Sequence, residues 1–374
     1  MSAPVVPPLV LLLALAVGTG PARAEPEPPA DGPPAESVPD HAAKRSWLDD
    51  WTVLPILFYS PETEIGLGLA VIRGLELPEG NPIVSTVAFG IIYTTREQFI
   101  TRLEPDLRFG DDAFVHAIIR YQRFPTRFFD PGAHPGDAGE PYDERSLFGH
   151  LDGRITATGK LRVGLRWEYR YNTVTEHVAG GELEASGLSG LGSYFTSGLG
   201  PVVSLDTRDD PRRPHHGVLA ELRVIGFSAL TGAGEDALQV GCEVRGYVDV
   251  GHGHVLAGEV HAQLTAGDLP FQLLPHLGGA SHLRGWYEGH LRNRHALLGQ
   301  LEWRFPIASR FGGAAFVALG EAVPGLGELS LERLRAGAGL GLRYLLNRRQ
   351  NVSVRLDVAW GSGFGAYFDV LEAF

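Results

Sequence analysis

Three long segments of this chain alternate between apolar and polar side chains, and this two-residue period constrains the fold more than any other feature. From Leu161 to Tyr171 the odd positions are apolar and most even positions are charged, and segments 297–305 and 351–360 alternate similarly. Such alternation is typical of β-strands that separate an apolar from a polar environment. Strands of soluble sandwiches usually run to about five or six residues, whereas a tilted strand needs about nine to eleven to cross a bilayer. The lengths therefore favour membrane-spanning strands.

Sixteen segments of this kind follow one another along the chain. They are 51–59, 63–73, 82–94, 97–109, 112–123, 145–157, 160–171, 194–206, 217–227, 237–249, 254–266, 296–306, 311–320, 333–344, 351–360 and 364–374. The long connections follow odd-numbered segments, and the even-numbered connections are short except the one at 207–216. Outer-membrane barrels have short periplasmic turns and long outer loops. The pattern predicts an all-β, transmembrane outer-membrane β-barrel of about sixteen antiparallel strands, with fourteen or eighteen as alternatives.

The first 44 residues differ in composition from the rest of the chain. Residues 1–24 contain a nine-residue apolar run and a small-x-small motif, which predicts a secretory signal peptide. Residues 25–44 are rich in proline and acidic side chains, which predicts a periplasmic linker. Residues 45–374 then form the predicted barrel. An exported barrel belongs in the outer membrane of a Gram-negative bacterium, in contact with its lipids.

The polar faces of the predicted strands carry many charged side chains. A water-filled barrel needs such a wall, so a salt-bridged interior explains most of these residues without a special role for any one of them. They are Arg162, Arg166, Glu168, Arg170, Glu243, Arg245, Gln300, Glu302, Arg304, Arg335, Arg343, Arg355 and Asp357.

Several classes of function lack support in the sequence. The formal net charge of -12 argues against nucleic acid as a partner. No G-x-S-x-G, H-E-x-x-H, P-loop or dinucleotide motif is present, so we expect no enzyme and no cofactor. The histidine pairs His215, His216 and His252, His254 lack the spacing of zinc sites, so we expect no metal.

Four motifs in the chain occur together in one known family. They are "LPILFYSPETEIGLGLA" (54–70), "DTRDDPRRPHHG" (206–217), "GGASHLRGWYEG" (278–289) and "GQLEWRFPI" (299–307), followed by a terminal Phe374. Together they resemble the barrel of the BamA/TamA-like surface-antigen family, whose members insert or translocate proteins at the outer membrane. The residues that match the family's periplasmic turn are Asp206, Thr207, Arg208, Asp209, Pro214 and Gly217.

The resemblance also implies that the sixth outer loop folds back into the barrel. The tip of that loop would be Arg284, Gly285 and Trp286. In the family an arginine at this place meets acidic residues on strands twelve and thirteen, and the strand-twelve acid here is Glu302. Ala318 stands where the family has an aspartate on strand thirteen, and Glu321 is the alternative partner that the sequence offers.

The seam between the first and last strands is the predicted route for polypeptides. Pro55 lacks a donor in the first strand, and Gly361 and Gly363 weaken the start of the last strand, which ends at Phe374. A weakly paired seam can open sideways and pair with an incoming strand. The expected partners are unfolded outer-membrane or secreted proteins and a separate periplasmic protein, since we expect no POTRA (polypeptide-transport) domain before the barrel. The alternative is a passive pore or structural surface antigen.

Overall fold

The computed structural model describes residues 51–75, 85–110, 112–134, 136–347, 352–370 and 372–374. The predicted signal peptide (1–24) and linker (25–44) lie outside the described residues. Within these ranges, no helix combines the length and the apolarity that crossing a membrane requires.

Sixteen antiparallel strands form a closed barrel, which confirms the predicted fold. Their bounds are β1 Trp51–Ser60, β2 Glu64–Leu75, β3 Ser85–Thr94, β4 Phe99–Phe109, β5 Ala113–Phe128, β6 Glu140–Thr158, β7 Leu161–Glu176, β8 Tyr194–Asp206, β9 Gly217–Phe227, β10 Ala237–Gly251, β11 His254–Gly267, β14 His295–Pro306, β15 Phe311–Val323, β16 Arg335–Asn347, β17 Val352–Trp360 and β18 Phe364–Val370. Two short strands, β12 (His276–Leu277) and β13 (Leu291–Arg292), pair with each other in the loop between β11 and β14. One helical turn, α1 (Glu182–Ala185), lies between β7 and β8.

The alternation in the sequence has its expected structural cause. In β7, Leu165 and Trp167 are exposed on the outer surface, whereas Glu168 and Arg170 are buried. The outer apolar side chains need lipid around them, and the inner charged ones need partners in the lumen. Each barrel strand therefore presents apolar side chains to lipid and polar side chains to the lumen.

Strands β5, β6 and β7 are longer than the sequence predicts. The sequence predicts a loop at 124–144, but β5 and β6 remain paired as far as Phe128 and Glu140. The extension has a core of its own, because Phe128 and Tyr142 pack against Phe271 of the loop between β11 and β14. This aromatic packing stabilises strand pairing beyond the part of the barrel that faces lipid.

The seam between β1 and β18 is the weakest pairing in the barrel. Every residue of β1 has a register partner in β2, from Trp51 to Ser60. On the other side of β1, the described residues form one register pair with β18, Tyr59 opposite Phe368. Pro55 lies in β1 with an exposed side chain and brings no N–H donor to that edge. Among the described residues, β1 from Trp51 to Phe58 therefore has no register partner in β18.

The other three predicted seam residues lie outside the β18 strand. Gly361 and Gly363 lie in the turn immediately before it, because β17 ends at Trp360 and β18 begins at Phe364. Strand β18 ends at Val370, so Phe374 is not part of a strand either.

Phe374 lies inside the lumen, because charged side chains hold the tail there. Arg304 Nη2 donates a hydrogen bond to the Phe374 carbonyl at 2.8 Å, and its guanidinium lies over the Phe374 ring. Glu372 accepts a hydrogen bond from Arg343 Nε at 2.7 Å. Phe374 packs with Tyr247 of β10, across the lumen from β18.

Candidate functional site: a loop clamped inside the lumen

The loop between β11 and β14, residues 268–294, enters the lumen. Its apolar side chains Leu277, Leu283 and Trp286 form a buried cluster with Leu298 of β14 and Ala318 of β15. Burial of these side chains gives the loop a small hydrophobic core against the barrel wall. We call residues 268–294 the lumen loop.

Arg284 lies at the centre of the lumen loop and is only 1% exposed. Its Nη2 donates a hydrogen bond to Glu302 Oε2 at 2.7 Å, and its Nη1 donates to Asp357 Oδ2 at 2.6 Å. The guanidinium also lies 3.4 Å from the centroid of the Phe316 ring. The structure therefore brings Arg284 and Glu302 together and adds a second acid, Asp357 of β17.

Glu321 is not a partner of Arg284, so that part of the sequence prediction is wrong. Glu321 shares the parity of Val317 and Leu319, which are exposed on the outer surface of β15. Its carboxylate instead accepts a hydrogen bond from the Ser330 N–H and pairs with Arg333 at 3.2 Å. The side chain therefore binds the connection after β15 and does not reach the lumen loop.

Ala318 occupies the place where the resembled family has an aspartate, and its small side chain has a structural use. It packs in the apolar cluster of the lumen loop with Leu298 and Trp286. The charge that is absent at this position is supplied two strands away by Asp357. The alternation in the sequence places Asp357 on the lumen face, but only the path of the loop shows that it meets Arg284.

The two acids belong to a larger buried network. Glu302 also pairs with Arg304 at 2.9 Å and with Arg343 at 3.4 Å. Asp357 binds Arg343, and it pairs with Arg355 at 3.0 Å. Burying a charge is costly unless it is paired, and each of these carboxylates has several cationic partners. The network stabilises one position of the loop, and removing one member leaves its buried partners with fewer opposite charges.

The tip of the lumen loop is attached to the last strands of the barrel. The Gly285 N–H donates to the Tyr367 hydroxyl of β18 at 2.9 Å. The Trp286 indole Nε1–H donates to the Ala336 carbonyl of β16 at 2.9 Å. A Cβ at Gly285 would lie 2.6 Å from the Gly361 nitrogen, so the two backbones approach as closely as two glycines allow.

The other end of the tip contacts the first hairpin. The Glu288 N–H donates to Glu62 Oε1, in the turn between β1 and β2, at 2.9 Å. Burial and the neighbouring Glu62 carboxylate raise the pKa of Glu288 to about 7. Burial also raises the pKa of Glu62. Both shifts favour the protonated forms, which lowers the repulsion between the two carboxyl groups.

A family model described as the Omp85 superfamily domain matches residues 136–362, more than half of the chain. The chain belongs to the Omp85 superfamily. This confirms the resemblance to BamA/TamA-like barrels and the location of the chain in the outer membrane of a Gram-negative bacterium. The sequence matches no curated protein.

Two solved structures resemble the Omp85 barrel described above. One is BamA from Haemophilus ducreyi lacking POTRA domains 1-3, with a TM-score of 0.61 and 13% identity over 86% of this chain and 70% of that one. The other is CdiB from Acinetobacter baumannii, with a TM-score of 0.56 and 11% identity over 86% of this chain and 59% of that one. At these identities the similarity concerns the fold.

The turn at 206–217, which the sequence predicts to be periplasmic, is stabilised mainly by its own side chains. Asp206 accepts hydrogen bonds from the Arg208 side chain, and Thr207 Oγ1 accepts the Val218 N–H at 2.9 Å. Asp209 accepts the backbone N–H groups of His215 and His216. Such side-chain caps explain the length and composition of this turn.

Two further turn residues have distinct surroundings. Gly217 has a φ of 105°, and a Cβ there would lie 2.4 Å from the Thr207 carbonyl oxygen. Pro214 is buried and lines a cavity at this end of the barrel, together with Arg304 and Glu372. In the ranges that the structure describes, no group of three or more histidine, cysteine, aspartate or glutamate side chains is arranged to hold a metal ion.

Replacing Gly285 with alanine is expected to loosen the loop tip of the Omp85 barrel. Gly285 has a φ of 96°, and a Cβ would press on the Trp360–Gly361 backbone. A non-glycine residue in such a conformation costs about 1–3 kcal/mol. Thermal unfolding of the purified barrel measures the loss. Gly363→Ala is the matched control, because a Cβ at Gly363 meets no atom within 4 Å, and equal melting temperatures for the two variants would contradict the assigned packing.

Proposed function

We propose that this Omp85 barrel inserts polypeptides into the outer membrane, or passes them across it, through the seam between β1 and β18. The observation that carries the proposal is the single register pair at that seam, beside full pairing on the other side of β1. An unpaired strand edge offers N–H and C=O groups to another strand. An incoming polypeptide can therefore add to β1 by backbone hydrogen bonding.

The side chains of β1 suit an edge that meets polypeptides within a membrane. Val53 and Leu57 are exposed on its outer surface, so a strand that pairs with β1 also faces lipid there. The substrates are accordingly unfolded outer-membrane or secreted proteins, whose strands alternate in the same way. We assign delivery of the substrate to a separate periplasmic partner, and the proposal includes no enzymatic step.

The contents of the lumen make a passive pore the weaker alternative. The lumen loop crosses the interior and is fixed there by Arg284, and Glu372 and Phe374 fill part of the periplasmic half. The cavity beside the seam has a volume of about 110 Å³. A steady, wide channel requires a continuous water-filled path, which these segments obstruct.

Deletion of the gene is expected to deplete particular barrels or secreted proteins, since their insertion or passage would need this seam. Quantitative proteomics of outer membranes and culture medium measures this, with the wild-type gene restored in the deletion strain as the control. The purified barrel in a planar bilayer is expected to show little steady conductance. A wide, steady conductance together with an unchanged proteome would favour the passive pore.

A further inference from the structure

The lumen loop touches both sides of the seam within four residues. The Gly285 N–H of the loop donates to the Tyr367 hydroxyl of β18. The Glu288 N–H donates to the Glu62 carboxylate in the turn between β1 and β2. These two hydrogen bonds join β18 to the β1–β2 hairpin through the loop backbone. The direct register between β1 and β18 consists of one pair in the described part of the chain.

Both attachment points are fixed by their surroundings. Tyr367 is fully buried and packs with Phe316 and Ala359. Glu62 is 3% exposed, and its backbone carbonyl accepts a hydrogen bond from the Gln98 side chain at 3.0 Å. Neither acceptor is a mobile surface group, so these hydrogen bonds restrain β18 at Tyr367 and the β1–β2 turn at Glu62.

A cavity of about 110 Å³ lies behind the seam, bordered by Tyr59 and Glu62 on one side and by Phe368 on the other. Ser281 and Glu288 of the lumen loop form part of its lining. The loop is therefore the element that spans this space from one strand to the other.

We propose that residues 285–288 form a latch that holds the seam closed, with the Tyr367 hydroxyl and the Glu62 carboxylate as its two attachment points. The latch regulates the seam of the proposed function and so rests on that proposal. Arg284 fixes the latch from the lumen side through Glu302 and Asp357. Displacing the loop from these acids releases both strands together, which couples an event in the lumen to opening toward the membrane.

The latch can be tested by trapping the seam with a disulfide. Tyr59 and Phe368 are register partners, and in an antiparallel pair such positions are close enough for a disulfide. In a C242A background, which removes the native free cysteine, the double variant Y59C/F368C reports how often the seam is closed. The purified protein is first reduced in nanodiscs, and we expect Glu62→Ala and Tyr367→Phe each to lower several-fold the disulfide fraction that then forms during brief mild oxidation.

Two matched controls separate the latch from general loosening of the loop. Glu62→Gln keeps an oxygen that accepts the Glu288 N–H, so it should retain the parental disulfide fraction. Tyr194→Phe removes a hydroxyl that donates to Gln272 of the same loop at 3.1 Å, but on the opposite wall of the barrel. It should leave the disulfide fraction unchanged. Heat-dependent migration of each variant in SDS gels verifies that the barrel is folded.

The latch is overturned if folded E62A and Y367F variants form the disulfide as fully as the parent does. It is also overturned if Y194F lowers the disulfide fraction as much as Y367F. The readout involves no client protein, so it is independent of the proposed function. If the latch variants open the seam but a barrel with a locked seam remains active, the latch stands and the proposed route through the seam fails.

Discussion

Replacing Arg284 with alanine should lower the free energy of unfolding by about 3–5 kcal/mol, the usual cost of removing one partner of a buried ion pair. The guanidinium is 1% exposed and serves both Glu302 and Asp357. Without it, these carboxylates face Arg304, Arg343 and Arg355 but lose the cation that lies between them. The lumen loop also loses its contact with the Phe316 ring.

Thermal unfolding of the purified barrel measures this loss. Arg294→Ala is the matched control, because Arg294 belongs to the same loop but pairs with Asp268 at the surface, where its side chain is 49% exposed. Surface ion pairs contribute about 0–1 kcal/mol, so this control should melt close to the parent. Arg284→Lys keeps the charge without the two-armed geometry and should fall between them. If R284A melts as R294A does, the clamp contributes nothing to the fold.

The geometry also shows why Arg284 and Glu302 are not an isolated pair. Exchanging their charges would place a glutamate against Asp357 and an arginine beside Arg304 and Arg343. New like-charge contacts would then accompany the restored pair. Single substitutions with conservative controls therefore test the clamp more cleanly than a charge exchange.

The barrel was predictable from the sequence because its cause is local. Lipid on one side of a strand and water or protein on the other impose a two-residue period, which can be recognised in β7 from Leu161 to Tyr171 without knowing any neighbour. Strand order follows from the same pattern, since consecutive antiparallel strands pair with each other around the barrel. The sequence therefore predicts all sixteen strands, although β5, β6 and β7 extend further than the pattern indicates and β18 ends earlier.

Contacts between distant segments were not predictable in the same way. Asp357 was placed on the lumen face, but its contact with Arg284 depends on a loop that crosses the interior. Phe374 looked like the end of a strand, because nothing local shows that Arg304 and Arg343 hold the tail inside. The prediction for Glu321 was wrong although local information was sufficient. Its parity on β15 directs the side chain away from the lumen.

A disulfide across the seam is expected to abolish function. In the C242A background, Y59C/F368C should oxidise spontaneously in the periplasm, which is an oxidising compartment. The bond would join β1 to β18, and no strand could enter between them. The matched control is Y59C/I65C, a register pair inside the β1–β2 hairpin, which leaves the seam free to open. Both disulfides lie on the outer surface and both use position 59 of β1. They differ in the strand to which β1 is joined, β18 in one variant and β2 in the other.

The direct measurement is complementation of the deletion strain by these two variants, scored by the abundance of the proteins that the deletion depletes. The Y59C/F368C barrel should fail to restore them while oxidised and should restore them after a reducing agent is added, whereas Y59C/I65C should restore them under both conditions. Full restoration by the oxidised Y59C/F368C barrel, with the disulfide verified on gels, would contradict transport through the seam.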